Sequence, residues 1–295
     1  MLERISVKHF VAILLIVIFL TGCVKNGDEK TLKIVANSWI GYAPLFYAEE
    51  KGYLDKIKVK IISVVSLAEA KDIYSIGKAD IVATTQHEYH VLKKIDKDIV
   101  PILLLDRSNG GDMVLSNRKI EDLKKADKIF AFLEVDSINI DILNDFLKLN
   151  HIDKSKIVFK NEDQAQIQTL QYLGVPTLIV TYVPYDYILK KKGYFTVAST
   201  KDKNSIIVID SLCATKKILN SNRKRLIKLK EIIDRSIKEI VKDKNASYKI
   251  TSPYLDNITY ENYINAFKTI KWINNPSNKL LKRIKKLGYS KEDLL

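Results

Sequence analysis

The chain has 295 residues, 49 Lys and Arg against 35 Asp and Glu, a formal charge of +14 and two cysteines. That cysteine count excludes a disulfide framework, and the length is enough for two ordinary domains with a core in each. The basic excess admits nucleic acid, anionic lipid or an anionic ligand as partner, and the N-terminus decides among them.

Residues 1–22 read as an export signal. Arg4 and Lys8 form a positive start, residues 10–20 form an apolar core of eleven residues, and Thr21-Gly22 precede Cys23. The run is too short for a transmembrane helix, which needs about 20 apolar residues. The pattern resembles a bacterial lipobox, with Cys23 acylated and residues 23–30 a polar tether. The body is then expected in the cell envelope, lipid-anchored on the periplasmic or extracellular face of a bacterial membrane. Export removes nucleic acid as a partner.

The predicted elements alternate. Strand 32–36, helix 42–52 ended by Gly52, strand 59–65, helix 68–77 and strand 81–83 lead to a capping box at Thr85-Gln86-His87-Glu88 and a helix to 94. Strand 99–105 follows. The glycines of Asn109-Gly110-Gly111-Asp112 mark a crossing. A second unit predicts strands 129–133, 156–160 and 177–181 with helices 138–149, 163–173 and 185–192, then strands 195–198 and 206–209. From Lys216 the pattern is helical, with Leu226, Leu229, Ile233, Ile237 and Ile240 at helical spacing. Its basic face is solvated and could lean on anionic lipid. Cys213, without a partner, reads as a buried thiol. The order predicts an α/β fold of largely parallel sheets, with ligand at the loops 37–42, 84–87, 107–112, 134–138 and 182–185.

The segment Asn37-Ser38-Trp39-Ile40-Gly41-Tyr42-Ala43-Pro44-Leu45, followed by Ala48-Glu49-Glu50-Lys51-Gly52-Tyr53, resembles the opening of solute-binding proteins of nitrate, sulfonate, taurine and pyrimidine-precursor ABC importers. Gly77-Lys78-Ala79-Asp80, the crossover 105–112, the loop 134–137 and Val180-Thr181-Tyr182-Val183-Pro184-Tyr185 extend the resemblance over residues 31–215. It departs at Val183, Thr177 and His87, where relatives carry acidic residues, so no relative's ligand is carried over. The resemblance implies a type II periplasmic-binding-protein fold with two hinge crossings: lobe 1 of residues 31–106 and 206–295, lobe 2 of residues 107–205. It implies a monomer that captures a small molecule and delivers it to an ABC permease.

Ser38, Trp39, Tyr42, Thr84, Thr85, His87, Asp112, Glu134, Ser137, Tyr182 and Tyr185 are the candidate ligand residues. The helix opening after Ser137 either receives an anion at its free N–H groups or is capped by its own side chains. Thr85 serves the capping box, leaving Thr84 and the amides of Gln86 and His87 for ligand. Trp39, Tyr42, Tyr182 and Tyr185 either clamp a flat ligand or pack between lobes. Glu134 and Asp112 disfavour a purely anionic ligand and favour an amine, a zwitterion or an aminopyrimidine, although Asp112 beside two glycines also suits a turn.

His87 and His90 lack the spacing of a metal-binding pair, so no metal and no cofactor are expected. No nucleophile elbow or phosphate loop is present, and no enzymatic activity is expected. The alternatives are a ligand-binding lipoprotein that feeds a membrane sensor and, behind it, a pyrimidine-synthesis enzyme, which would need a cysteine-rich iron motif.

Overall fold

A computed structural model describes residues 30–273 and 275–295. The export signal, Cys23 and most of the tether lie outside the described residues. From Leu32 onward the chain forms one compact unit built on two mixed sheets. The first contains β1 (Leu32–Asn37), β2 (Val59–Val64), β3 (Ile81–Thr84), β4 (Ile99–Ser108), β10 (Ile209–Thr215) and β11 (Ile270–Trp272) in the order β11-β4-β10-β3-β1-β2. The second contains β5 (Asp112–Ser116), β6 (Ile129–Leu133), β7 (Ile157–Asn161), β8 (Thr177–Tyr182) and β9 (Phe195–Ser199) in the order β7-β6-β8-β5-β9.

The parallel half of each sheet is the alternating β-α part of the sequence: β1 pairs β2 and β3, and β6 pairs β7 and β8. The antiparallel half comes from the crossings. The chain leaves β4 through Asn109-Gly110-Gly111 and enters β5, which lies antiparallel between β8 and β9. It returns after β9 and inserts β10 antiparallel between β3 and β4. The two crossings touch where the Ser108 amide donates to the Val208 carbonyl at 3.1 Å.

Local chemistry sets the boundaries. The capping box is formed: the Thr85 hydroxyl accepts the His87 amide, the Thr85 amide donates to Glu88 Oε2, and helix Gln86–Ile95 begins there. Ser66, Ser137, Asp163 and Thr215 cap four further helices. The segment expected to be helical over 163–173 makes one turn, Gln164–Ile167. Its apolar positions Ile167 and Leu170 cover the core for no longer, and the Thr169 hydroxyl turns back onto the Gln166 carbonyl. The strand expected over 206–209 begins instead at Ile209. Ahead of it, the Gln86 side-chain amide donates to the Ile207 carbonyl and accepts the Ile209 amide, satisfying the backbone where a neighbouring strand would. Cys213 is buried on β10 beside Thr84 and Ser211.

The long helix Arg223–Lys242 buries Leu226, Leu229, Ile233, Ile237 and Ile240 against helix Ala43–Glu50 and turns its charged face outward. Each such side chain contributes about 1.5–3 kcal/mol of burial, so truncating Leu229 to Ala costs about 2–5 kcal/mol. One apolar cluster runs continuously from the first sheet, through Trp39, Tyr42 and Leu103, to Met113, Ile179, Tyr182 and Tyr185 on the second. The two sheets therefore meet through side chains at the ends of β1 and β8 and on the crossing strands β4, β5 and β10.

Candidate functional site

Where the sheets meet there is a cavity of about 10 Å³ lined by Asn37, Trp39, Tyr42, Leu67, Thr85, Asp112, Tyr182 and Asp210. That volume holds about one water. The first sheet and its helices supply Asn37 from the end of β1, Trp39 and Tyr42 from the turn behind it, Leu67, Thr85, and Asp210 from β10. The second supplies Asp112 from β5 and Tyr182 from β8, which are paired across the β5–β8 ladder.

Trp39 joins the two sides. Its indole N–H donates to the Asp106 carboxylate, 3.2 Å from each oxygen, and its ring meets Tyr182 edge-on at 5.9 Å. Two glycines make room for it. A Cβ on Gly41 would lie 1.9 Å from Asp106 Oδ2, and one on Gly111 would lie 2.5 Å from the Trp39 ring. The Tyr42 hydroxyl donates to Asp210 Oδ1 at 2.6 Å, and Asn37 Nδ2 donates to the Tyr182 hydroxyl at 3.3 Å. Tyr185 stacks edge-on against Tyr182.

The electrostatics are one-sided. Glu88, Asp106, Asp112, Glu134 and Asp210 are all buried. Among the described residues no Lys, Arg or His forms an ion pair with any of them. Asn37 Oδ1, Asp112 Oδ2, Asp210 Oδ2 and both Glu134 oxygens accept no hydrogen bond, an arrangement that folded proteins rarely leave standing. Burial pushes Asp112 up to about 7, with the Glu88 charge adding to it and the Ser108 hydroxyl opposing. Burial and the Glu88 charge push Glu134 up to about 8, against the pull of the nearby Gln164 and Leu67 amides. Asp106 and Asp210 are raised well above the usual carboxylate range, first by burial and then by neighbouring carboxylates.

The helix that opens after Ser137 (Ile138–Leu149) is where the sequence left the choice between an external anion and a cap. In the structure its N-terminus is taken by the protein. Ile138 N–H donates to Glu88 Oε1 at 2.8 Å, the Ser137 hydroxyl accepts the Asn139 amide, and that hydroxyl donates to the Glu134 carbonyl. His87 points to the same helix, its Nδ1 2.9 Å from Asp141 Oδ2. Of the sequence candidates, Trp39, Tyr42, Thr85, Asp112 and Tyr182 line the cavity. Ser38, Thr84, His87, Glu134, Ser137 and Tyr185 are not among its lining residues, Thr84 being turned to Cys213. The residues not anticipated are Asn37, Leu67 and Asp210 in the lining, with Asp106 and Glu88 behind it. For Asp106 and Asp210 the signal was a single carboxylate inside an apolar strand run, Leu103-Leu104-Leu105-Asp106 and Val208-Ile209-Asp210; Asn37, Leu67 and Glu88 carried no such signal. No group of three or more His, Cys, Asp or Glu among the described residues is arranged to hold a metal ion.

No family model matches the chain, and no curated protein matches it by sequence. Solved structures do match. The alkanesulfonate-binding protein SsuA from Xanthomonas axonopodis pv. citri, bound to MOPS, superposes with a TM-score of 0.70 at 12% identity, over 90% of this chain and 97% of that one. The ligand-binding component of an ABC-type import system from Staphylococcus aureus, with zinc bound, gives 0.69 at 13% identity over 90% and 96%. The periplasmic nitrate-binding protein NrtA from Synechocystis PCC 6803 gives 0.64 at 14% over 79% and 69%. At these identities the likeness is one of architecture, and the chain has the two-sheet α/β fold of the periplasmic binding proteins.

Proposed function

We propose that the protein is an extracytoplasmic solute-binding lipoprotein of an ABC importer, anchored through Cys23. It captures a small polar solute between a lobe of residues 31–106 and 206–295 and a lobe of residues 107–205, and passes it to a permease without making or breaking a bond. The observation that carries this reading is the buried cavity at the junction of the sheets, where Asn37 Oδ1 and Asp210 Oδ2 from one side and Asp112 Oδ2 from the other lack partners. Buried polar atoms without partners cost about 1–3 kcal/mol each, a cost that a bound solute removes. The likeness in fold to an alkanesulfonate-binding protein, a nitrate-binding protein and a ligand-binding component of an ABC-type import system supports the same reading. Because the cavity holds about one water, a larger solute enters only when the faces separate, which gives a permease two shapes to tell apart.

The test is calorimetric titration of residues 24–295 against sulfonates, nitrate, amines and pyrimidines, with small-angle scattering before and after. Saturable binding that compacts the particle is expected. Absence of binding to every class, with no change in dimensions, would overturn the proposal.

A further inference from the structure

Within the solute-binding reading, on which this inference rests, we infer that the solute carries a positively charged nitrogen bearing N–H groups, seated at the cavity between Asn37, Asp112 and Asp210. Three observations converge. The acceptors that lack partners at the cavity are all oxygens, and two belong to carboxylates, so the missing partner is a donor. No cationic side chain among the described residues pairs with the surrounding Glu88, Asp106, Asp112, Glu134 and Asp210, so a cationic solute would supply the charge compensation that the empty site meets by holding protons. The donor array best suited to an anion, the N-terminus of helix Ile138–Leu149, is closed by Glu88.

Size and walls narrow the class. A space of about 10 Å³ matches a single NH₃⁺ group, or one N–H corner of a larger cation, and not a whole solute. Leu67, Thr85 and the rings of Trp39, Tyr42 and Tyr182 complete the wall, and an aromatic ring attracts a cation laid against its face. A quaternary ammonium would satisfy the rings and leave Asn37 Oδ1, Asp112 Oδ2 and Asp210 Oδ2 without donors. A protonated amine, guanidine or aminopyrimidine serves both.

A cation at this site also favours the ionised form of carboxylates that the empty site holds partly protonated. Its binding therefore releases protons, and its affinity rises with pH through about 7, where Asp112 titrates, while an anion would take protons up.

The experiment titrates the protein with diamines, guanidines and aminopyrimidines, with choline as the quaternary control, and with sulfonates and nitrate, in buffers of differing ionisation enthalpy. Expected are binding of an N–H-bearing cation with proton release, and loss of at least about tenfold in its affinity in both Asp112→Asn and Asp210→Asn. Circular dichroism confirms that each variant is folded. Anion binding with proton uptake would overturn the charge assignment and leave the solute-binding reading standing. Choline binding as tightly as the amines would overturn the N–H requirement, and zinc or magnesium ions alone displacing the amine would overturn the nitrogen cation. Absence of any solute binding would remove the parent reading and this inference with it.

Discussion

Asp106 on β4 and Asp210 on β10 are direct partners in the antiparallel ladder, so two buried carboxylates stand opposite each other in the first sheet. The indole of Trp39 serves one and the hydroxyl of Tyr42 the other. Like charges directly opposite are unfavourable, and burial adds to the cost. Both groups, with Asp112 and Glu134, hold protons in the folded chain to a higher pH than in the unfolded one, where carboxyls titrate near about 4. The folded state therefore binds more protons above about pH 4, and its stability falls as pH rises through about 7 for Asp112 and about 8 for Glu134. Thermal melts of the ligand-free protein are expected to be lower at pH 9 than at pH 6. Asp210→Asn should narrow that difference; a variant whose pH profile matches the parent would remove Asp210 as a source of it.

Glu88 holds two elements at once. One oxygen completes the Thr85 capping box and the other receives the Ile138 amide on the helix beyond β6. In Glu88→Gln the amide group must turn its NH₂ toward one of these donors, leaving a donor facing a donor. A loss of about 1–3 kcal/mol in urea unfolding is expected, and more in Glu88→Ala, which also forfeits the cap at about 1 kcal/mol. Equal stability of parent and Glu88→Gln would show that the bridge is not made in solution.

Much of this architecture was legible in the chain because apolar period, glycine and capping residues act locally. The Thr85 box, the Gly110-Gly111 crossing and the stripe from Leu226 to Ile240 each follow from neighbours in sequence. The mixed sheets were not legible. β5 and β10 are placed by partners far along the chain, and an apolar strand reads the same whether its neighbour runs parallel or antiparallel. The site was half legible for the same reason. Trp39, Tyr42, Asp112 and Tyr182 sit at strand ends, where loops advertise them. Asp106 and Asp210 lie inside strands and gain meaning only from facing each other, and the use of Glu88 at the Ser137 helix depends on two segments 50 residues apart.

Gly41 and Gly111 are expected to be far less replaceable than their turn positions suggest. A methyl at Gly41 would overlap Asp106 Oδ2 and approach Trp39 Nε1 to 2.4 Å; one at Gly111 would meet the Trp39 ring. The indole must give way, because the opposing wall is buried carboxylate and Tyr182. Overpacking of this kind costs about 1–3 kcal/mol. Either alanine variant should also shift tryptophan emission to the red as Trp39, 4% exposed in the parent, reaches solvent. Unchanged emission would place the strain elsewhere.

His87 and Asp141 form a second polar link between the Thr85 helix and the Ser137 helix, at 2.9 Å. Burial acts to lower the His87 value, but the hydrogen bond it donates to Asp141 and the charges of Glu88 and Asp141 outweigh it, and Lys71, which opposes them, does not reverse the result. With its value raised on folding, His87 contributes its stabilisation fully below the unfolded value of about 6.5 and loses it as pH rises through the folded one. Asp141 is 46% exposed, so screening holds the pair to under about 1 kcal/mol. Because the buried carboxylates also destabilise the protein as pH rises, the parent's slope alone does not isolate His87. The difference between parent and His87→Asn does: it should be largest below about pH 6.5 and shrink as pH rises above it, with the imidazole titrating above its ordinary value by NMR. A difference independent of pH would reduce His87 to a packing role.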